Sequence, residues 1–338
     1  MTHLDAYNRP ISYLRISVTD RCNLRCVYCM PPQGVVKRSH GEILRYEEIE
    51  TVVRAAAELG ITKVRLTGGE PLVRPGIVDL VRMLARLEGI DDLAMTTNAI
   101  LLNDYAKSLA QAGLQRVNIS LDTLRPERFE RITRCGRLED VLAGMKAARQ
   151  AGLEPIKINT VVIRGMNDEE VIDFAQQTLE PGWHVRFIEL MPIGISLMPI
   201  GTGMTAENNW KDRVVTAREI QEQIEATLGA LEPAKVLPGG GPARYYRLPG
   251  AKGTLGFITP ISEHFCHQCN RLRLTADGHL RPCLLADTEI DLRTPLRAGA
   301  DVTRIKTLVL QAIERKPMQH HLDECQVPAG RAMSEIGG

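Results

Sequence analysis

Six short β-rich runs alternate with amphipathic helical patterns along the first two thirds of this 338-residue chain. The runs are Ile11–Thr19, Lys63–Gly69, Leu93–Asn98, Arg116–Asp122, Pro155–Ile163 and Val185–Leu190. Between them, segments such as YEEIETVVRAAAELG repeat apolar residues every three or four positions and stop at a glycine, here Gly60. LEDVLAGMKAARQAG does the same and stops at Gly152. Strand, helix, strand in repetition implies parallel pairing with right-handed crossovers. Six strands are too few for a closed eight-stranded barrel. An open partial barrel and a doubly wound sheet both satisfy the pattern, which does not separate them.

Alternation within the strands adds a constraint. Val117, Ile119 and Leu121 point one way, and Asn118, Ser120 and Asp122 the other. Lys157 shares a face with Asn159, and Arg65 with Thr67 and Gly69. Each strand offers one apolar face to helices and one polar face. A packed barrel interior carries branched apolar residues instead, so the polar face suggests a cavity for a large polar ligand. The fold expected is α/β, a partial (β/α)6 TIM-like barrel over residues 1–232. After EPAKVLPGGGPARYY the pattern changes. Residues 233–338 read as a smaller α+β region closing the barrel mouth, with a hairpin at ADG and a final helix in ADVTRIKTLVLQAIERK. A tandem LMPIG spans the loop from Leu190 to Gly203.

Composition excludes several classes. Hydrophobic residues make up 44% and charged residues 25%, with a formal net charge of +1. Nothing global draws the chain to nucleic acid or membrane, so any anion site rests on local clustering. The N-terminus lacks a signal-peptide apolar core, and no apolar run spans a bilayer. A cytoplasmic chain is expected. Its eight cysteines then favour metal or redox chemistry over disulfides.

The cysteines form two trios. TDRCNLRCVYCM holds Cys22, Cys26 and Cys29 as C-x3-C-x2-C. Three thiolates in one loop hold three corners of a [4Fe–4S] cluster and leave one iron open for chemistry. A zinc site with a distant fourth ligand is the alternative. The trio follows the first strand, at the end where parallel α/β folds keep their active sites. Cys266, Cys269 and Cys283 form the second trio, C-x2-C-x13-C; for zinc, His264 or His267 would be the fourth ligand. Arg271 and Arg273 follow, two apart and on one strand face. A structural zinc needs no such pair, whereas a phosphorylated substrate does. Cys135 and Cys325 fall outside both trios and read as incidental thiols.

The first trio, with Tyr28 before its last cysteine, resembles the radical S-adenosylmethionine (SAM) superfamily, as does TGGEPL at Thr67 to Leu72. That resemblance implies SAM chelated at the open iron and cleaved to a 5′-deoxyadenosyl radical. The whole chain, from YLRISVTDRCNLRCVYCMP through FCHQCNRLRLTADGHLRPCL to MSEIGG, resembles the GTP 3′,8-cyclase family of molybdenum-cofactor biosynthesis. The resemblance implies a lyase with two [4Fe–4S] clusters that converts GTP to (8S)-3′,8-cyclo-7,8-dihydro-GTP, the second cluster holding guanine. It carries SAM contacts to Tyr28, Gly69, Glu70, Ser120 and Met191, with Met198 as a duplicate of Met191. It carries GTP contacts to Arg15, Arg65, Thr96, Lys157, Arg186, Arg271, Leu272 and Arg273. Arg15, Arg271, Arg273 and a Gly337–Gly338 tail reaching the active site are the implied catalytic set. Implied partners are a reducing electron donor, a downstream pyranopterin monophosphate synthase and a second copy in a homodimer. Ala99 stands where the family usually has glycine.

Overall fold

The computed structural model describes residues 3–36, 38–193, 210–322 and 331–337. Met198, Cys325 and Gly338 lie outside the described residues. The six expected strands form: β1 (Tyr13–Ser17), β2 (Lys63–Thr67), β3 (Asp92–Thr97), β4 (Arg116–Ser120), β5 (Lys157–Val162) and β6 (His184–Glu189). All five neighbouring pairs are parallel. Helices α1 (Tyr46–Glu58), α2 (Ile77–Ala85), α3 (Leu102–Gln111), α4 (Pro126–Thr133), α5 (Leu138–Gln150) and α6 (Val171–Gln176) connect them, and α7 (Ala217–Leu228) follows β6. Their apolar stripes pack on the outer strand face: Val117 and Ile119 of β4, Val52 of α1 and Leu109 of α3 belong to one buried core. Sequential β1 to β6 order fits an open partial barrel; a doubly wound sheet would reverse direction at a switch point.

The C-terminal third does not build its own sheet. Strands β7 (Glu232–Pro233), β8 (Arg244–Arg247) and β9 (Thr254–Ile258) join the β6 edge, with β9 parallel to β6. Strands β10 (Arg271–Leu274), β11 (His279–Arg281) and β12 (Ile290–Asp291) join the β1 edge, with β10 parallel to β1. Both edges of the six-strand barrel are thereby covered and extended into one 12-stranded sheet. After the short α8 (Arg293–Arg297), α9 (Val302–Glu314) packs Ile305, Val309 and Ile313 into the same core. The chain ends in α10 (Met333–Ile336), whose Ile336 is buried.

Candidate active site

Parallel register sets the polar row inside the barrel. Arg273 of β10 lies beside Arg15 of β1, and Arg15 beside Arg65 of β2. Across the barrel, Thr96 neighbours Asn118, and Asn118 neighbours Lys157. Arg186 neighbours Gly256 on β9, where a Cβ would come within 2.9 Å of the Arg186 side chain. Arg65, Lys157, Arg186 and Arg273 are all buried. The interior is therefore a cluster of like charge. Burial lowers the Lys157 ammonium to about 6, and Arg186, Arg65 and Arg116 add to the fall. Burial, then Arg271, bring Arg273 to about 10. Burial and Arg273 together lower Arg15. Among the described residues, Arg65 Nε, Arg186 Nε, Thr96 Oγ1, Asn118 Nδ2 and Asn159 Oδ1 are buried without a hydrogen-bond partner. Polar atoms so placed are costly unless a ligand meets them, and clustered guanidinium and ammonium groups call for an anion.

Leu272 departs from its expected place. Period-two alternation turns its fully buried side chain into the core, away from Arg271 and Arg273. Only its backbone remains available to a ligand in the barrel.

The first trio sits in the loop after β1. Leu24 N–H donates to Cys22 Sγ at 3.3 Å, and Asn98 Nδ2 lies 3.9 Å from the same sulfur. Burial raises all three thiols: Cys22 to about 11, Cys29 to about 12, and Cys26 well above its ordinary value. The neighbouring thiols are the next cause for Cys26 and Cys29, which places the sulfurs side by side. Tyr28 donates its hydroxyl to Asp122, and burial holds the Asp122 carboxyl up at about 6. Asp122, Tyr28, Ser120 and Cys26 line one cavity of about 30 Å³. Sequence reasoning put Asp122 on the polar face and gave it no role. Cys135 is less incidental than it reads: its Sγ lies 3.3 Å from Asn23 O, inside the cysteine loop.

The GGE segment packs against the cysteine loop. A Cβ at Gly68 would fall 2.4 Å from Thr19 O, and one at Gly69 would fall 2.3 Å from Arg21 O. The glycines admit the backbone of the cysteine loop. Glu70 is buried, and accepts from Leu72 N–H, Thr97 Oγ1 and Asn98 N–H at 2.7–3.0 Å. Burial lifts its carboxyl to about 7 despite these donors. Three of roughly four acceptor positions are filled, so one remains for an incoming amino group. Ala99, next to Asn98, takes a left-handed φ of +64°, the conformation glycine adopts without strain.

The second trio surrounds its own cavity, about 70 Å³, lined by Cys266, Cys269, Cys283, Arg271, Arg273 and Lys316 among others. Burial raises the Cys269 thiol, but Arg271 and Lys316 outweigh it and leave the thiol at about 6. Lys316 Nζ donates to Arg271 O and Pro282 O. Met191 lines this cavity and is absent from the lining of the Tyr28 cavity. It packs against the apolar group that includes Leu285 and Ile336. Each trio supplies thiols alone, and the Cys266, Cys269 and Cys283 cavity is also lined by His264 and His320. Thiolate-only trios suit iron–sulfur clusters.

Between the trios runs the tail. Gly337 is buried with φ +73°, and a Cβ there would come within 2.6 Å of Thr67 Cγ2. Its carbonyl accepts from Arg273 Nη1. A groove of about 540 Å³ at Ile156, Trp183 and His184 contains none of these groups. No helix among the described residues is long and apolar enough to cross a membrane.

Comparison with known proteins agrees with this geometry. Residues 16–178 match the radical SAM superfamily, and residues 183–322 match Molybdenum Cofactor Synthesis C. The GTP 3′,8-cyclase of Pelotomaculum thermopropionicum is 57% identical over 335 residues, 99% of both chains. That of Heliobacterium modesticaldum is 52% identical over 336 residues, 99% of this chain and 100% of the other. Among solved structures, Streptococcus suis SuiB bound to S-adenosylmethionine is similar in fold, with TM-score 0.59 and 16% identity, covering 94% of this chain and 77% of that one.

Proposed function

The chain belongs to the GTP 3′,8-cyclase family of radical SAM proteins, and from that premise we propose that it converts GTP to (8S)-3′,8-cyclo-7,8-dihydro-GTP. The observation that carries the substrate is the buried row of Arg273, Arg15 and Arg65 facing Lys157 and Arg186. We assign Cys22, Cys26 and Cys29 to one [4Fe–4S] cluster and Cys266, Cys269 and Cys283 to a second. When bound, the first cluster and SAM supply the radical chemistry that opens the reaction at the ribose.

This chain's own residues then have four tasks. Arg15, Arg65, Lys157, Arg186, Arg271 and Arg273 neutralise the triphosphate. Each charge-assisted hydrogen bond contributes about 1.5–3 kcal/mol, so a few fix the nucleotide. Thr96 and the Leu272 backbone set its orientation. Tyr28, Gly69, Glu70 and Ser120 hold SAM, with Met191 on the wall toward the second trio. Gly337 brings the tail to Arg273, and Gly337 and Gly338 are assigned a supporting role in catalysis there. Closure by the tail and the β10–β11 hairpin keeps water from the radical intermediates.

The reading extends to a lyase class, an external reductant, a pyranopterin-forming enzyme downstream and a homodimer. Residues 233–338 form the unit that carries the second cluster and the tail. Anaerobic reconstitution with iron and sulfide, then SAM, reductant and GTP labelled with deuterium at C3′, tests the function. Labelled 5′-deoxyadenosine is expected. Release of unlabelled 5′-deoxyadenosine would overturn the C3′ assignment.

A further inference from the structure

The tail enters the barrel held by charges that the active site itself does not use. Arg331, just before α10, is bidentate twice. Its Nη1 and Nη2 donate to the two oxygens of Asp277 at 3.0 and 3.2 Å. Its Nε and Nη2 donate to the two oxygens of Glu289 at 2.6 and 2.7 Å. Asp277 lies in the turn between β10 and β11, and Glu289 just before β12. The Arg331 and Asp277 side chains are only 12% and 4% exposed, so the pair is shielded from water and salt.

A second tie runs in parallel. Arg38 reaches Asp277 at 3.2 Å and Glu335 at 3.1 Å, and Glu335 accepts from Ala332 N–H at 2.8 Å. Beyond these ties, Ser334 N–H bonds the Cys29 thiol. Ile336 packs in a group that touches Met191 and Cys283. Gly337 O then accepts from Arg273. One short segment thus reaches the Cys29 thiol, the apolar group beside Cys283 and Arg273, and its entry is fixed by Arg331.

We propose that Arg331, through Asp277 and Glu289, is the positioning residue that seats the C-terminal tail so that Gly337 reaches Arg273. This rests on the reading that the tail serves the GTP site. The hairpin that bears Arg273 also bears Asp277, so the clamp fixes the tail to the element that presents the substrate-binding arginines. A bidentate guanidinium holds direction as well as distance. An ammonium at this position keeps the charge and loses the fork.

The test compares Arg331→Ala, Arg331→Lys, Gly337→Ala and the Arg331→Ala/Gly337→Ala double variant, all as full chains. In cluster-free protein, Arg331→Ala is expected to make the last residues open to carboxypeptidase, with the thermal midpoint of the barrel unchanged. In reconstituted protein, it is expected to lower turnover by about tenfold or more at unchanged KM for SAM. Arg331→Lys recovers part of the loss. The double variant is no worse than the worse single one, because both changes act through one group. A full-rate Arg331→Ala alongside an impaired Gly337→Ala overturns this inference alone. Losses that multiply in the double variant also overturn it. A full-rate Gly337→Ala overturns the tail's role and this inference together. If Arg331→Ala does not fold, Arg38→Ala removes the second tie and leaves the Arg331 pairs intact. It is expected to raise carboxypeptidase release, and an unchanged rate of release then counts against the clamp.

Discussion

The two cysteine trios share a ligand count and differ in their surroundings. Around Cys22, Cys26 and Cys29, the charges that add to burial are acidic, Glu70 and Asp122. Beside the second trio basic groups oppose burial instead, and at Cys269 Arg271 with Lys316 overcomes it. Under the proposed function, this difference sorts the two substrates between two cavities. A sulfonium with an ammonium belongs beside carboxylates, and a triphosphate beside guanidinium groups. On that reading, similar thiolate sets serve ligands of opposite charge, with the tail from Arg331 to Gly337 reaching toward both.

The comparison breaks most sharply at the cysteines. Cys26→Ser is expected to abolish reductive SAM cleavage entirely. Cys283→Ser is expected to keep cleavage of SAM and lose cyclisation of GTP. Equal loss of SAM cleavage in both would erase the distinction, and product analysis after anaerobic turnover reads it directly.

Next in size is Arg273→Ala. Removing one charge-assisted bond costs about 1.5–3 kcal/mol, or roughly 10- to 150-fold in kcat/KM for GTP. Binding of SAM, followed by calorimetry, is expected to stay level.

Lys157 gives a pH signature. Its ammonium is held at about 6 by burial and by Arg186, Arg65 and Arg116, far below its ordinary value. The free protein therefore carries it neutral at pH 7, while a bound triphosphate favours the proton. GTP binding takes up a proton, so affinity is highest below about pH 6 and falls as pH rises above it, by at most about tenfold per unit. Binding calorimetry in buffers of different ionisation enthalpy checks both the sign and the count. Proton release would contradict it. The folded state shows the same linkage: the unfolded chain binds the proton more tightly, so this group's contribution to stability rises with pH from about 6 up to its ordinary value.

The smallest effect is expected from Asp122→Asn. It keeps a partner for the Tyr28 hydroxyl and removes one negative charge from the first site. A rise of a few-fold in KM for SAM with KM for GTP unchanged is the expected split.

Much of this was legible in the sequence because period-two alternation is local. Arg15, Arg65, Lys157 and Arg186 share the barrel interior as their strand patterns require. The same rule, applied strictly, would have turned Leu272 into the core. Their assignment to GTP came from resemblance, since alternation cannot name a ligand. The misses are long-range. Nothing local marks β9 and β10 as partners for opposite edges of the barrel. Nothing local pairs Tyr28 with Asp122, 94 residues apart, or Arg331 with Asp277, 54 residues apart. Nothing local brings the Thr19 and Arg21 backbone against the glycines at 68 and 69.

The central claim, one site for each substrate, is tested most directly by paramagnetic resonance of reduced, reconstituted protein carrying only one trio at a time. With Cys22, Cys26 and Cys29 replaced by alanine, the remaining signal is expected to shift on adding GTP and to ignore SAM. With Cys266, Cys269 and Cys283 replaced, it is expected to shift with SAM and to ignore GTP. A signal from the second trio that responds to SAM, or no signal from that trio at all, would contradict the account.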